Sequence, residues 1–277
     1  MTAEPGSLVR HRAAVLGSPI AHSLSPALHA AAYAELGMAG WSYGLAEVEA
    51  DGLAAFVDGL DETWRGLSLT MPLKVAVLEL DGVEVSETAR LAGAGNTLLL
   101  DERRVENTDV AGLVWAVRSI TQDPVATVSV VGSGATARSA LVAAPRLGAT
   151  TVQVLARDPA KARSLAPLAE AVGVELAVPR WGSAPPEAGL LVSTVTAGAV
   201  DDQAEALAAS AGVVFDVVYD PWPTALADAA GRAGVRVLDG LDLLVGQAVE
   251  QVELMTGRRP SPEVLRAAGD RALAERA

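Results

Sequence analysis

The feature that most constrains the fold is a glycine-containing turn between a strand-like run and a helix-like run. Residues 128–131 read Val-Ser-Val-Val and lead into the segment 132–137, Gly-Ser-Gly-Ala-Thr-Ala, before an alanine-rich stretch. Gly-x-Gly-x-x-Ala in this context is typical of a buried strand, a tight turn and a helix whose free amides bind a pyrophosphate. Gly132 would make the turn, Gly134 would let a phosphate approach the backbone, and Ala137 would keep helix and strand close. The alternative is a glycine-rich turn that binds no ligand.

Strand-like and helix-like segments alternate regularly from residue 127 onward. The predicted strands are Thr127–Val131, Thr151–Ala156, Leu190–Thr194, Val213–Val218 and Arg236–Leu238. The predicted helices are Thr136–Leu147, Pro159–Val172, Asp202–Ala211 and Pro223–Ala233. Buried βα repeats of this kind predict a parallel, doubly wound sheet of the Rossmann type.

The part of the chain before this repeat predicts a second α/β region. Its predicted strands are Ala13–Gly17, Trp41–Val48 and Trp64–Leu69, with a hairpin formed by Leu98–Leu100 and Val105. Its predicted helices are Ala27–Leu36, Asp51–Leu60, one starting at Pro72, Glu87–Ala92 and Val110–Ile120; Leu241–Thr256 and Pro262–Ala274 form terminal helices. The fold class predicted from the sequence is therefore α/β.

Composition excludes several classes of function. The 277 residues are 51% apolar, so the chain can bury a sizeable core in one large domain or in two. The net charge of −13 argues against nucleic acid or an anionic membrane as a partner. The chain has no cysteine, which excludes disulfides and a cysteine nucleophile, and its three histidines disfavour a metal site.

The sequence carries no pattern of a targeting signal. Residues 1–12 include Glu4 and Pro5 and lack an apolar run, so we expect no signal peptide there. No apolar run elsewhere approaches the length needed to cross a bilayer. We therefore expect a cytoplasmic protein.

Lysine usage singles out one candidate for acid–base chemistry. The chain has nineteen arginines but only two lysines, Lys74 and Lys161. A guanidinium keeps its proton near neutral pH, whereas an ammonium can release it. Lys74 follows Pro72, which predicts a helix start, and the helix dipole disfavours a cation in the first turn. Lys74 is thus a candidate functional residue, and the alternative is a solvated lysine that bends away.

Two hydroxyl side chains precede the first predicted helix. Ser25 stands before Pro26, and a serine N-cap followed by proline at the first helical position is a strong start signal. Ser23 places a second hydroxyl at the same positive helix end, which could seat a carboxylate. The spacing is equally compatible with a helix cap alone and with a carboxylate site.

The cofactor preference can be predicted from the residues after the second strand of the βα repeat. In Gly-x-Gly-x-x-Ala proteins an acidic residue about twenty positions on holds the ribose 2′-hydroxyl of NAD. Twenty positions after Ala137 stands Arg157, and Lys161 follows one helical turn later. Two cations there suit the 2′-phosphate of NADP, although Asp158 between them leaves NAD open. Both cations could also be ordinary surface charges.

Five ordered segments resemble motifs of the shikimate dehydrogenase family, over essentially the whole chain. Residues 17–26 resemble its N-terminal serine motif, and residues 68–74 resemble the segment of its catalytic lysine. Residues 92–97 and 107–109 resemble the segments of a substrate-binding asparagine and of the catalytic aspartate; the latter residues could also merely cap a helix. Residues 240–248 resemble the motif of a substrate-binding glutamine, and Tyr219 matches a tyrosine near the substrate pocket.

The resemblance implies a reaction and a set of site residues. The reaction is reversible hydride transfer between NADPH and the ketone of 3-dehydroshikimate, giving shikimate in aromatic amino acid (chorismate) biosynthesis. Lys74 and Asp109 are the implied catalytic residues, and the sequence does not fix which is the principal acid–base group. The implied substrate-binding residues are Ser23, Ser25, Ser68, Thr70, Asn96, Tyr219 and Gln247. The implied cofactor contacts are Gly132, Ser133, Gly134, Ala135, Thr136, Arg157, Lys161, Thr194, Val217 and Gly240.

The resemblance also implies how the chain is divided. Residues 1–108 and 241–277 would form a discontinuous α/β substrate-binding domain, and residues 109–240 a Rossmann-type NADP-binding domain. Hydride transfer needs a close, aligned approach, which a closing cleft between two domains provides. We expect a small-molecule substrate, no nucleic acid or membrane partner, no metal, and a monomer or homodimer.

Three departures from the family pattern keep alternatives open. Many members have asparagine where this chain has Ser68, glycine is common at the position of Val110, and Ala156-Arg157-Asp158 replaces the usual Asn-Arg-Thr/Ser at the cofactor phosphate. One alternative is a relative that acts on quinate or aminoshikimate with NAD. The other is a non-catalytic NADP-binding sensor, which would not need both Lys74 and Asp109.

Overall fold

The computed structural model describes residues 9–276, so residues 1–8 of the segment expected to lack a signal peptide lie outside the described part. Its contacts divide the chain into two compact units. Among the described residues, the first unit comprises 9–90, 94–108 and 248–276, and the second comprises 91–93 and 109–247. The domain bounds predicted above, 1–108 with 241–277 and 109–240, stay a prediction.

The first unit is built on a mixed six-stranded sheet. Its strands are β1 (His11–Gly17), β2 (Trp41–Glu47), β3 (Trp64–Leu69), β4 (Glu84–Val85), β5 (Thr97–Leu99) and β6 (Arg104–Glu106), in the order β2-β1-β3-β5-β6-β4. The strands β2, β1 and β3 are parallel neighbours, whereas β5 runs antiparallel to both β3 and β6. The helices are α1 (Ser25–Glu35), α2 (Leu53–Asp58), α3 (Leu73–Ala76), α4 (Glu87–Ala92) and α12 (Pro262–Ala274).

Side-chain alternation along the strands gives this sheet two buried faces of different character. Leu67 and Leu69 of β3 join an aliphatic core with Leu16 of β1. Ser68, between them, is buried on the opposite face because successive strand residues point to opposite sides. That second face therefore combines apolar packing with polar side chains, and it carries the candidate site.

The second unit contains a six-stranded parallel sheet. Its strands are β7 (Thr127–Val131), β8 (Thr151–Leu155), β9 (Glu175–Ala177), β10 (Leu190–Ser193), β11 (Val213–Asp216) and β12 (Arg236–Leu238). Their order, β12-β11-β10-β7-β8-β9, is the doubly wound arrangement of a Rossmann fold, in which the strand order reverses between β7 and β10. The helices are α5 (Asp109–Ile120), α6 (Ala135–Ala143), α7 (Pro159–Arg163), α8 (Ala166–Ala171), α9 (Ala204–Ala209) and α10 (Ala225–Arg232).

One further helix, α11 (Gly240–Thr256), contributes its first half to the second unit and its second half to the first. The α/β fold class and the two-part organisation predicted from the sequence are confirmed. Within residues 9–276, no helix is long and apolar enough to cross a membrane.

Some local predictions were wrong for identifiable reasons. The predicted helix Pro159–Val172 is two helices, α7 and α8, because Pro167 lacks the N–H that a continuous helix requires. The predicted helix Pro223–Ala233 begins only at Ala225, since the Thr224 side chain caps it by accepting from the Ala227 N–H at 3.1 Å. The short strands β4 and β9 were not predicted, because two or three residues are too few to show a period.

Candidate active site

In the first unit, the serine motif and the lysine segment lie side by side. Because β1 and β3 are parallel neighbours, the segments that follow them leave the same edge of the sheet. The Thr70 N–H donates to the Leu16 carbonyl at 2.9 Å, and the Ser18 N–H donates to the Met71 carbonyl at 3.0 Å. A Cβ at Gly17 would collide with the Thr70 side chain, so glycine is required for this approach.

The two serines occupy the start of α1, but Ser25 is not its cap. The N-cap residue is Leu24, whose carbonyl accepts from the N–H groups of Ala27 and Leu28 at 3.0 and 3.2 Å, and within the described chain no side chain caps this helix. The prediction of Ser25 as N-cap was therefore wrong. Ser23 Oγ accepts from the Ser25 N–H at 3.3 Å, and Ser25 is buried. Both hydroxyl-bearing residues stay at the positive end of α1 without capping it.

Lys74 is fixed by its backbone to the segment that carries Asn96. Its carbonyl accepts from the Gly95 N–H at 2.7 Å, and its side chain is half-buried. Lys74 is the second residue of α3, a helix of four residues that starts after Pro72. The predicted helix start and the first-turn position of Lys74 are confirmed.

Asn96 lies at the start of β5 and is held by a residue that the sequence did not single out. Asn96 Oδ1 accepts from the Thr108 N–H at 2.8 Å, and Asn96 Nδ2 donates to Thr108 Oγ1 at 2.9 Å. Both residues are buried. The only sequence signal for Thr108 was its position before a helix, which suggested a cap. The structure shows that it orients the Asn96 amide instead.

Ser68 takes part in a chain of buried hydrogen bonds that the sequence also did not reveal. Ser68 Oγ accepts from the Tyr43 hydroxyl at 2.6 Å and donates to Gln251 Oε1 at 2.8 Å. Gln251 Nε2 in turn donates to Thr97 Oγ1 at 3.0 Å and to the Asn96 carbonyl at 3.2 Å. These bonds connect the end of β3, the start of β5 and the second half of α11.

Burial shapes the electrostatics of the same face. His29 is fully buried and stacks on Tyr43, with ring centroids 3.8 Å apart. Burial lowers the pKa of His29 to about 3, an effect that the neighbouring Gln251 amide partly opposes. Because Gln251 gives its bonds to Ser68 and β5, neither His29 ring nitrogen has a partner among residues 9–276. Burial also raises the pKa of Tyr43, so both rings are neutral at physiological pH.

In the second unit, the glycine turn has the geometry of a dinucleotide site. Gly132 follows β7 with φ at +111°, a conformation that favours glycine, and a Cβ there would collide with Thr194 Oγ1. A Cβ at Gly134 would have no atom within 4 Å, which leaves open space in front of α6. Within the described part of the chain no side chain caps α6, and Ala137 packs against the strand with 0% exposure.

The remaining predicted cofactor contacts surround this turn in the second unit. Ser133, Ala135 and Thr136 belong to the turn and to the first residues of α6, and each is at least partly exposed. Val217 and Gly240 meet at the carboxyl ends of β11 and β12, where a Cβ at Gly240 would collide with the Val217 carbonyl. This edge lies next to the point where the strand order reverses, the usual place for a dinucleotide in such a sheet.

The two candidate phosphate-binding cations lie beyond β8. Arg157 and Lys161 are both exposed, at the start of α7 and within it. Asp158 Oδ1 accepts from the Ala160 N–H at 2.9 Å and so caps α7. The acidic residue that kept NAD open in the sequence is thus already used by the helix. The donor set at this edge, backbone amides and two cations, fits the phosphates of NADP.

Three residues expected to act on substrate belong to the second unit. Asp109 is the first residue of α5 and is buried. One turn later, a Cβ at Gly112 would lie 2.7 Å from the Gln247 backbone nitrogen, so α5 and α11 pack closely where these residues stand. Gln247 Nε2 donates to the Leu244 carbonyl at 3.0 Å. Tyr219 is half-buried in the segment after β11.

Asp216 anchors the segment that carries Tyr219 and was missed by the sequence analysis. It is buried, accepts from the Thr224 hydroxyl at 2.7 Å, and accepts from the Val218 N–H at 3.3 Å. Burial raises the pKa of this carboxyl. Its position at the end of a predicted apolar strand gave no hint of this role. In the part of the chain that the structure describes, no cluster of three or more His, Asp or Glu side chains could hold a metal ion.

Comparisons with known proteins agree on one family. Residues 15–98 match the shikimate dehydrogenase substrate-binding domain, and residues 240–268 match the shikimate 5′-dehydrogenase C-terminal domain. The NADP⁺-named shikimate dehydrogenase of Methanothermobacter thermautotrophicus is 35% identical, over 95% of this chain and 97% of that protein.

Two solved structures are similar over nearly the whole chain. The crystal structure of Mycobacterium tuberculosis shikimate dehydrogenase has a TM-score of 0.88 and 41% identity, covering 94% of this chain and 99% of the other. The shikimate 5-dehydrogenase of Thermus thermophilus, in complex with NADP(H) and shikimate, has a TM-score of 0.82 and 33% identity, covering 95% and 99%.

Proposed function

The chain belongs to the shikimate dehydrogenase family, and from this we infer that it is an NADP-dependent oxidoreductase acting on a CH–OH group. It catalyses the reversible reduction of 3-dehydroshikimate to shikimate in aromatic amino acid biosynthesis. One structural observation supports this function above the others. The serine motif, Thr70, Lys74 and Asn96 lie at one edge of the sheet of the first unit, a set that suits a small hydroxylated carboxylate.

We propose that Ser23 and Ser25 bind the substrate carboxylate. Their hydroxyls stand at the positive end of α1, which has no side-chain cap within the described residues and so favours an anion there. We further propose that Ser68, Thr70, Asn96, Tyr219 and Gln247 hold the ring hydroxyls. Thr108 supports this set by orienting the Asn96 amide.

We propose that Lys74 and Asp109 form the proton-transfer pair. Reduction of a ketone creates an alkoxide that needs a proton, and a lysine ammonium can donate one, whereas arginine could not complete the proton cycle. Asp109 would hydrogen-bond the reacting oxygen or Lys74 and so fix the geometry. Its burial limits competition from water for that bond.

The cofactor NADP supplies the hydride. We propose that the amides at the start of α6 hold its pyrophosphate, with Gly134 providing the close approach, and that Arg157 and Lys161 hold the 2′-phosphate. Thr194, Val217 and Gly240 would contact the rest of the cofactor at the same edge of the parallel sheet. The proposed domain division is residues 1–108 with 241–277 for substrate and 109–240 for NADP.

We also propose that the protein works in the cytoplasm on this small-molecule substrate, as a monomer or homodimer, without nucleic acid or membrane partners. The net charge of −13 supports the last point, because it repels polyanions.

Substitution Lys74→Ala tests the catalytic assignment. Loss of the proton donor should lower kcat by about 10² to 10⁴-fold, while shikimate still binds, as measured by calorimetry. Arg90→Ala, which removes an exposed cation in the same unit, is the matched control and should keep wild-type kcat. A Lys74→Ala enzyme with wild-type kcat would show that another group supplies the proton.

A further inference from the structure

The orientation of the Gln251 amide is determined by its partners. One end of the amide faces the Asn96 carbonyl and Thr97 Oγ1, and the other end faces Ser68 Oγ. A carbonyl oxygen can only accept, so the end that faces Asn96 must be the Nε2 amino group. The Oε1 end therefore faces Ser68, and because Gln251 is only 1% exposed, water does not compete for these bonds.

This orientation decides the polarity of the Ser68 hydroxyl. Since Gln251 Oε1 can only accept, Ser68 must give it its single proton, over 2.8 Å. The Tyr43 hydroxyl then donates to one of the two lone pairs of Ser68 Oγ, over 2.6 Å. What Ser68 retains is one lone pair. It can accept a further hydrogen bond but cannot donate one.

The packing of α11 on β3 explains why Gln251 reaches Ser68. Gln251 and Met255 are four residues apart on α11 and so lie on one helix face. A Cβ at Gly66 would lie 2.8 Å from Met255 Cε, which shows that this helix face presses directly on β3. Gly66 and Ser68 are two residues apart on β3 and point to the same side. The same contact therefore places Met255 over Gly66 and Gln251 over Ser68.

We propose that Gln251 is a positioning residue that sets Ser68 as a hydrogen-bond acceptor for a hydroxyl of the substrate. The proposal rests on the proposed function, in which Ser68 contacts a ring hydroxyl of shikimate. An asparagine amide, common at this position in the family, can both donate and accept. With Gln251 in place, Ser68 selects a substrate group that donates, which a hydroxyl does and a keto group does not.

Gln251→Met tests this role, because methionine has similar volume and no hydrogen-bonding amide. With Ser68 free to rotate, we expect KM for shikimate to rise about fivefold to tenfold, with kcat within about threefold of wild type and KM for NADP⁺ unchanged. Gln251→Asn, too short to reach both partners, serves the same purpose if the methionine variant does not fold. Gln251→Glu, whose carboxylate still accepts the Ser68 proton, should restore KM to within about threefold.

A double-mutant cycle separates positioning from a merely structural role. If Gln251 acts through Ser68, the double variant Ser68→Ala/Gln251→Met should have the same KM for shikimate as Ser68→Ala alone. Additive effects would overturn the proposal, as would a Gln251→Met enzyme with wild-type KM. Gln153→Met is the matched control, since it removes a comparable bond to Ser129 Oγ, 3.0 Å long, in the second unit. It should leave KM for shikimate unchanged.

The wild-type arm distinguishes the two levels of failure. Wild-type protein that does not reduce NADP⁺ with shikimate would overturn the proposed function and this inference with it. Wild-type turnover together with Gln251 variants of unchanged KM would overturn this inference alone.

Discussion

His29 should make the protein lose stability in mild acid, well above the range in which carboxylates titrate. The imidazole is 0% exposed and stacks on Tyr43, with an interplanar angle of 17°. Burial lowers its pKa from 6.5 in the unfolded chain to about 3 in the folded protein. At neutral pH both states hold a neutral ring, so the effect is silent there.

The size of the effect follows from the difference between these two pKa values. Between pH 6.5 and 3 the unfolded chain binds a proton that the folded chain does not, so the free energy of unfolding falls as the pH falls. The slope approaches about 1.4 kcal/mol per pH unit. At pH 5 the loss contributed by His29 alone is about 2 kcal/mol.

Urea unfolding followed by tryptophan fluorescence at pH 7 and pH 5 measures this contribution. His29→Phe keeps an aromatic ring against Tyr43 and removes the titrating group, so its loss of stability on acidification should be smaller than that of wild type by about 2 kcal/mol. His22→Gln removes an exposed imidazole from the same unit and should keep the wild-type pH dependence. Equal pH dependence in His29→Phe and wild type would refute the reasoning.

Three further variants test the cofactor site and its surroundings. Gly134→Ala should change the free energy of unfolding by less than about 0.5 kcal/mol, because no atom lies within 4 Å of the new Cβ, yet weaken NADP⁺ binding at least about tenfold by calorimetry. Gly132→Ala, strained at φ +111°, should lose stability as well; a Gly134→Ala protein with wild-type NADP⁺ affinity would contradict the phosphate assignment. Arg157→Ala should raise KM for NADP⁺ about tenfold and leave KM for NAD⁺ unchanged, whereas equal effects on both would remove Arg157 from the 2′-phosphate. Because burial raises the pKa of Asp216, the folded state keeps that proton to higher pH than the unfolded chain does, and stability falls as pH rises through this interval; urea unfolding of Asp216→Asn should show a smaller fall, and an equal one would refute the assignment.

Much of the fold could be predicted because local pattern and tertiary structure agree. The strands of the second unit are short apolar runs between helices, and the turn at Gly132 has the positive φ that its motif requires. Such features depend on residues that are close in sequence. Local signals failed where a neighbouring group took over, as at Leu24, whose backbone replaces the expected Ser25 cap.

The residues that sequence analysis missed depend on contacts between distant parts of the chain. Gln251 meets Ser68 across 183 positions, and nothing in the spacing of α11 distinguishes it from an ordinary polar residue of a helix. Asp216 has the same character, since its role depends on Thr224 folding back onto the end of β11. Residues that orient others are visible only once the strands and helices that carry them have been brought together.

The most direct test of the proposed activity is the rate of nicotinamide reduction with shikimate or quinate, each paired with NADP⁺ or NAD⁺. Fast reduction with shikimate and NADP⁺, and much slower reduction in the other three pairs, is the result expected from the substrate edge around Lys74 and the cations Arg157 and Lys161. Comparable rates with quinate or NAD⁺ would contradict the assigned specificity, and no reduction in any pair would contradict the enzyme itself.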